Sequence, residues 1–151
     1  RALGTSSARS LQNQMAIGAT YTTSNKISVT LEYDYDGAAM TKRGWDGLQR
    51  GSTLAYATYR RWAINAQEQP TQHRTFAFVT WRDAMIDRLD ISALSRFNVD
   101  DRSAMYWLEA RYHWDKVEMA LQYQYNRGGA TSDFGAASAR RSWQLNGRFY
   151  F

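Results

Sequence analysis

The chain has 151 residues, a net charge of +5 and no cysteine, and it is 44% apolar and 15% aromatic. Lack of cysteine excludes disulfides, thiolate catalysis and cysteine metal sites, and the apolar content excludes disorder. The basic residues are scattered, which speaks against a nucleic-acid interface, and no run of about 18 apolar residues exists to make a transmembrane helix.

The recurring pattern has period two, the signature of strands. A first strand over 12–22 carries Met15, Ile17, Ala19 and Tyr21 on its apolar side. After the short turn Thr23-Ser24-Asn25-Lys26, a second over 27–36 sets Ile27, Val29, Leu31, Tyr33 and Tyr35 against Ser28, Thr30, Glu32, Asp34 and Asp36. The long stretch from Gly37 to His73 holds one predicted helix, 52–67. Ser52 is placed to cap it, Tyr56, Tyr59 and Ala63 share a face, and Pro70, the sole proline, follows its end. A third strand over 74–82 is ambiguous, because Phe76 and Phe78 compete with Ala77, Val79 and Trp81 for the apolar side.

The fourth strand, 89–98, opposes Leu89, Ile91, Ala93 and Phe97 to Asp90, Ser92, Arg96 and Asn98. The fifth, 103–113, opposes Ala104, Tyr106, Leu108, Ala110 and Tyr112 to Met105, Trp107, Glu109, Arg111 and His113. The sixth, 117–126, has Val117, Met119, Leu121, Tyr123 and Tyr125 on one side and Glu118, Gln122, Gln124 and Asn126 on the other. The seventh, 142–151, sets Trp143, Leu145, Gly147, Phe149 and Phe151 against Gln144, Asn146, Arg148 and Tyr150.

These elements predict one all-β domain over 1–151: an antiparallel transmembrane β-barrel segment of about seven strands with one short helix in an outer loop. Most strands approach the 9–11 residues that a tilted membrane strand needs. Connections alternate between short (23–26, 83–88, 113–116) and longer (37–73, 99–102, 128–139), as periplasmic turns and outer loops do. Aromatic residues gather at both strand ends, where amphipathic rings settle at membrane interfaces. A soluble antiparallel sandwich also alternates, so charges on the polar side alone do not decide. Seven is odd, whereas single-chain bacterial barrels have even counts; with no signal-peptide pattern at its start, the chain is expected to be part of a larger barrel.

The ending Trp143-Gln144-Leu145-Asn146-Gly147-Arg148-Phe149-Tyr150-Phe151 resembles the C-terminal strand signal of bacterial outer-membrane proteins, with the glycine one position nearer the end than usual. The hairpin, helical outer loop and closing strands resemble the last part of porin or alginate-exporter-like channels. The resemblance implies that Trp143, Leu145, Gly147, Phe149 and Phe151 are read by the barrel assembly machinery. It also implies the outer membrane as location, and its lipid and lipopolysaccharide, together with the remaining strands of the barrel, as partners.

Glu32, Asp34, Asp90, Arg96, Glu109, Arg111, Glu118 and Arg148 are the expected lumen-lining residues, either selecting solutes or bracing the wall as ion pairs. The two histidines, His73 and His113, fall at opposite strand ends and make no metal site. His113 on the inward side also fits no Ser–His lipase. Asp100, Asp101 and Asp133 read as solvated loop acids rather than a calcium site. No catalytic residue and no cofactor is expected. The expected function is a channel for small hydrophilic solutes or for polysaccharide export, with a structural barrel that sheathes a partner and a soluble binding barrel as alternatives.

Overall fold

A computed structural model describes residues 13–151. Its seven strands are β1 (Gln14–Thr22), β2 (Ile27–Asp36), β3 (His73–Trp81), β4 (Leu89–Asn98), β5 (Ala104–His113), β6 (Val117–Arg127) and β7 (Arg141–Phe149). They form one antiparallel sheet in sequence order, a meander from β1 to β7. Strand boundaries differ from the predicted ones by at most two residues. Gln12, predicted to open the first strand, lies outside the described residues. The last strand stops at Phe149, and Tyr150 adds one further backbone bond, to Lys116 O at 2.8 Å.

Two expectations are corrected. The sheet is not closed into a barrel: β1 and β7 each pair on one side only among the described residues. And the β2–β3 connection holds two helices, not one. The predicted helix is α2 (Thr53–Ala66), capped by Ser52, whose side chain accepts from Ala55 N, and ended by Gln67 in the left-handed region (φ 58°). The unpredicted helix is α1 (Lys42–Arg50), capped by Thr41 through Gly44 N. Gly44 and Gly47 lower its intrinsic propensity; its tertiary anchor is Trp45, fully buried.

Short connections all lie at one end of the sheet. Residues in the left-handed region help close two of them, Lys26 in the first and Asp83, Met85 and Arg88 in the second. The second is stapled by Asp83, whose side chain accepts from Arg88 N (2.9 Å) and pairs with Lys26 of the first turn (2.5 Å). The longer connections and both helices lie at the other end. There Gly128 (φ 154°) packs so closely that a Cβ would come within 2.8 Å of Ser103 Cβ, which excludes a side chain.

No apolar core holds these elements together. Among the described residues the buried apolar side chains are Ala39, Trp45, Ala63, Ala84, Ala104 and Ala120, and only Trp45 is large. Backbone ladders between neighbouring strands carry the architecture.

Candidate functional site

Register decides which face each side chain takes, because cross-strand partners point the same way and neighbours along a strand point opposite ways. All eight charged residues expected on one face share it. Glu32 pairs with Phe76 and Phe76 with Arg96; Asp34 pairs with Arg74, Asp90 with Arg111, Ser92 with Glu109 and Glu118 with Arg148. Trp143, Leu145, Gly147 and Phe149 share the other face, opposite Tyr123, Leu121, Met119 and Val117. Phe151 lies beyond the last strand and is fully exposed.

On β5 and β6 the apolar face is the more open one and the polar face the more enclosed. On β5, Leu108 is 47% exposed and the next residue, Glu109, 6%; on β6, Leu121 is 48% exposed and Glu118 8%. The apolar face continues across all seven strands through Ile17, Leu31, Val79, Ala93, Leu108, Leu121 and Leu145. Aromatic rings border it at both ends. At the loop end these are Tyr33, Tyr35, Tyr106, Tyr125 and the Tyr123–Trp143 pair, whose ring centroids are 4.5 Å apart. At the turn end they include Tyr21, Trp81, Phe149 and the Tyr112–Trp114 pair, also 4.5 Å apart.

The polar face carries a network near the turn end, centred on Arg111. Its Nε and Nη2 donate to the two carboxylate oxygens of Glu109 at 2.9 and 3.0 Å, and its Nη1 donates to Glu118. Gln122 also donates to Glu109, and Tyr150 to Glu118 at 3.3 Å. His113 stands between Asp90 and Glu118, one ring nitrogen 3.2 Å from each. Such two-sided hydrogen bonding satisfies the oxygens of carboxylates this enclosed. Arg111 therefore braces β5 against β6, the ion-pair alternative of the sequence reading. Arg96 differs: it is exposed and forms no ion pair among the described residues.

Phe76 and Phe78, ambiguous in the sequence, fall on the polar face. Phe76 sits between Glu32 and Arg96, and Phe78 between Thr30 and Leu94. With Leu94, Met105 and Trp107 they make an apolar block within an otherwise polar surface. The alternation already put Met105 and Trp107 there; their proximity to Phe76 and Phe78 needs the three-strand register.

The loop end is organised by the acids taken for solvated ones, and that reading is corrected. Asp100 is buried and accepts from His73 N at 3.0 Å. Asp101 accepts from Trp45 Nε1 at 3.0 Å, from Asp133 N at 2.7 Å and from Ser103 N at 2.9 Å. Asp133, its side chain 13% exposed, accepts from Asn98 Nδ2 at 3.2 Å and lies 3.7 Å from Arg74. Burial pushes the Asp133 carboxyl above the ordinary range, against the opposing pull of Arg74. The helices tie into the same cluster: Gln49 and Tyr56 both donate to Thr131 O at 2.8 Å, and Arg60 donates to Asp133 O at 3.0 Å. The Asp100 and Asp101 carboxylates satisfy backbone N–H groups that a buried loop would otherwise orphan, and Asp133 ties Asn98 to Arg74, so all three are structural. Among the described residues no group of three metal-ligating side chains is formed.

No known protein family matches the chain, and no curated protein or solved structure matches it either.

Proposed function

We propose that the sheet is a section of the wall of a bacterial outer-membrane β-barrel channel that passes small hydrophilic solutes or exports a polysaccharide. The observation that carries this reading is the inverted exposure of β5 and β6: Leu108 and Leu121 stand open while Glu109 and Glu118 on the other face are enclosed. In water, a continuous apolar surface spanning seven strands far exceeds what a soluble monomer leaves bare. In lipid the same surface is the stable one, and the two aromatic borders fall where the interfaces would lie. Strands of ten residues at about 3.3 Å each, tilted by about 40°, rise about 25 Å, the height of an outer-membrane apolar band.

The open edges fit this reading. β1 and β7 run in the same direction, since six antiparallel steps separate them. Antiparallel closure therefore takes an odd number of further strands between β7 and β1. Those strands, outer-membrane lipid, lipopolysaccharide and the barrel assembly machinery are the proposed partners; Trp143, Leu145, Gly147, Phe149 and Phe151 would form the segment read during assembly. Glu32, Asp34, Asp90, Arg96, Glu109, Arg111, Glu118 and Arg148 then face a hydrated lumen, and the helical cap stands at its outer mouth.

Two measurements test this. In brominated-lipid vesicles, fluorescence from Trp143, isolated in a variant with Phe at the other tryptophans, is expected to be strongly quenched, and that from Trp45, isolated likewise, is not. In planar bilayers the protein is expected to give discrete ion-conducting steps. Insertion without conductance would make it a structural barrel, and failure to insert would return it to the soluble β class.

A further inference from the structure

We propose that the apolar block around Arg96 is a binding site for an amphipathic organic anion: a carboxylate carrying a flat aromatic body. The proposal deepens the channel reading and rests on it for water access to this face. Two adjacent rows of the register build the site. One runs Phe76–Arg96–Met105 and the next Phe78–Leu94–Trp107. Three strands about 4.8 Å apart and two residues about 6.6 Å apart along a strand give a footprint of about 10 by 7 Å. That suits one six-membered ring with a substituent. The Phe76 and Phe78 rings stand 6.3 Å apart at 31°, forming one wall.

Charge selects the head group. Arg111 is engaged by Glu109 and Glu118, and Arg74 lies beside Asp133. Arg96 has no carboxylate within ion-pair distance among the described residues. The acid on its own row, Glu32, is on the far side of Phe76, two strand spacings or about 10 Å away. A permanently charged guanidinium on an apolar floor is a monodentate or forked site for a carboxylate. An inorganic anion would leave the five apolar side chains wetted, and a neutral aromatic solute would leave Arg96 unpaired. Only a ligand with both features satisfies the whole block.

The test uses the full chain folded in detergent micelles, with 4-fluorobenzoate as probe followed by fluorine NMR line broadening. Saturable binding is expected, with 4-fluorobenzyl alcohol binding at least about tenfold more weakly. Arg96→Gln and Trp107→Ala should each weaken 4-fluorobenzoate about tenfold or more, Arg96→Lys should keep part of the affinity, and Arg61→Gln, at an exposed position on α2, should keep all of it. Circular dichroism of each variant establishes that the sheet is intact. Equal binding of acid and alcohol, or indifference to Arg96→Gln, would overturn the site. So would absence of binding, which is what a protein segment already seated on the block would give. Brominated-lipid quenching of Trp143 reports on the membrane reading separately: a quenched protein without binding loses the site and keeps the barrel, and the converse loses the barrel and keeps the site.

Discussion

Leu121 and Gln122 are neighbours on β6 that differ in face, and the pair offers the sharpest test of orientation. Leu121 lies on the apolar face between Ala110 and Leu145 and is 48% exposed. It stands four residues past Val117, about 13 Å along the strand, which at a tilt of about 40° is about 10 Å of rise. On the proposed membrane reading the midplane of a band about 25 Å tall lies at about 12 Å, which would put this side chain close to the most apolar depth. Leu121→Arg should therefore destabilise by about 2–4 kcal/mol. Gln122 faces Glu109 across the strand pair and donates to it. An arginine there exchanges one donor for another beside a carboxylate, offset by the nearby Arg111, and the change should stay within about 1 kcal/mol. The assay is reversible urea unfolding in phospholipid vesicles, followed by tryptophan emission. In a water-soluble sheet Leu121→Arg would replace an exposed leucine with a solvated cation at little consequence. Equal effects at the two positions would refute the assigned faces.

Three further outcomes are expected. Arg111→Ala strips the shared donor from Glu109 and Glu118, 6% and 8% exposed, and should lower stability by about 2–4 kcal/mol in the same urea assay; a loss under about 0.5 kcal/mol would show the network to be slack. Asp133 has a folded-state pKa raised by burial, so its protonation stabilises the folded cap. That contribution is complete below the ordinary carboxylate pKa and is lost as pH rises through the raised value. Hydrogen exchange over 128–140 should thus slow, after correction for intrinsic rates, as pH falls towards about 4, and Asp133→Asn should remove the dependence; an identical profile in the variant would assign it elsewhere. Finally, a cysteine replacing exposed Ala130 should be labelled on intact cells by an impermeant maleimide, and one replacing exposed Asn25 should not; the reverse pattern would invert the proposed topology.

The strands were legible because the alternation is a local property. In β2, β5 and β6 every second residue follows one rule, and no tertiary information is needed to phase it. β3 was not, since Phe76 and Phe78 satisfy an apolar side as well as Ala77 and Val79 do. Only pairing of Phe76 with Glu32 and Arg96 breaks the tie. α1 escaped for a related reason: with Gly44 and Gly47 in nine residues its propensity is poor, and its anchor is the Trp45 indole on Asp101, 56 residues away. The roles of Asp100, Asp101 and Asp133 are non-local in the same sense. Loop acids read as solvated until the donors that they satisfy, backbone for Asp100 and Asp101 and side chain for Asp133, are known. Arg96 was placed on the correct face from the sequence, but its lack of an acid partner emerges only once Arg111 and Arg74 are seen to be engaged.

A sheet without an apolar core must obtain its register from somewhere else, and the polar network supplies it. Backbone ladders alone are nearly indifferent to a slip, since each N–H finds another carbonyl two residues on. Side chains are not indifferent: a slip of one residue sends every side chain of a strand to the opposite face. For β5 that would carry Glu109 and Arg111 to the apolar side and bring Leu108 and Ala110 to the network in their place. On the proposed membrane reading, turning a charge such as Arg111 to the lipid side would cost up to about 2–4 kcal/mol, depending on depth, and Glu118, 8% exposed, would lose its guanidinium partner. A slip of two residues keeps the faces but breaks the Arg111 contacts to Glu118 on β6 and the His113 contacts to Asp90 on β4. The apolar face thus excludes odd slips and the ion pairs exclude even ones. On this account Arg111→Ala leaves odd slips forbidden and loosens the even ones. The signature is local: exchange at β5 and β6 amides should quicken while that at β1 and β2 amides holds, and uniform quickening across the sheet would assign the arginine to global stability instead.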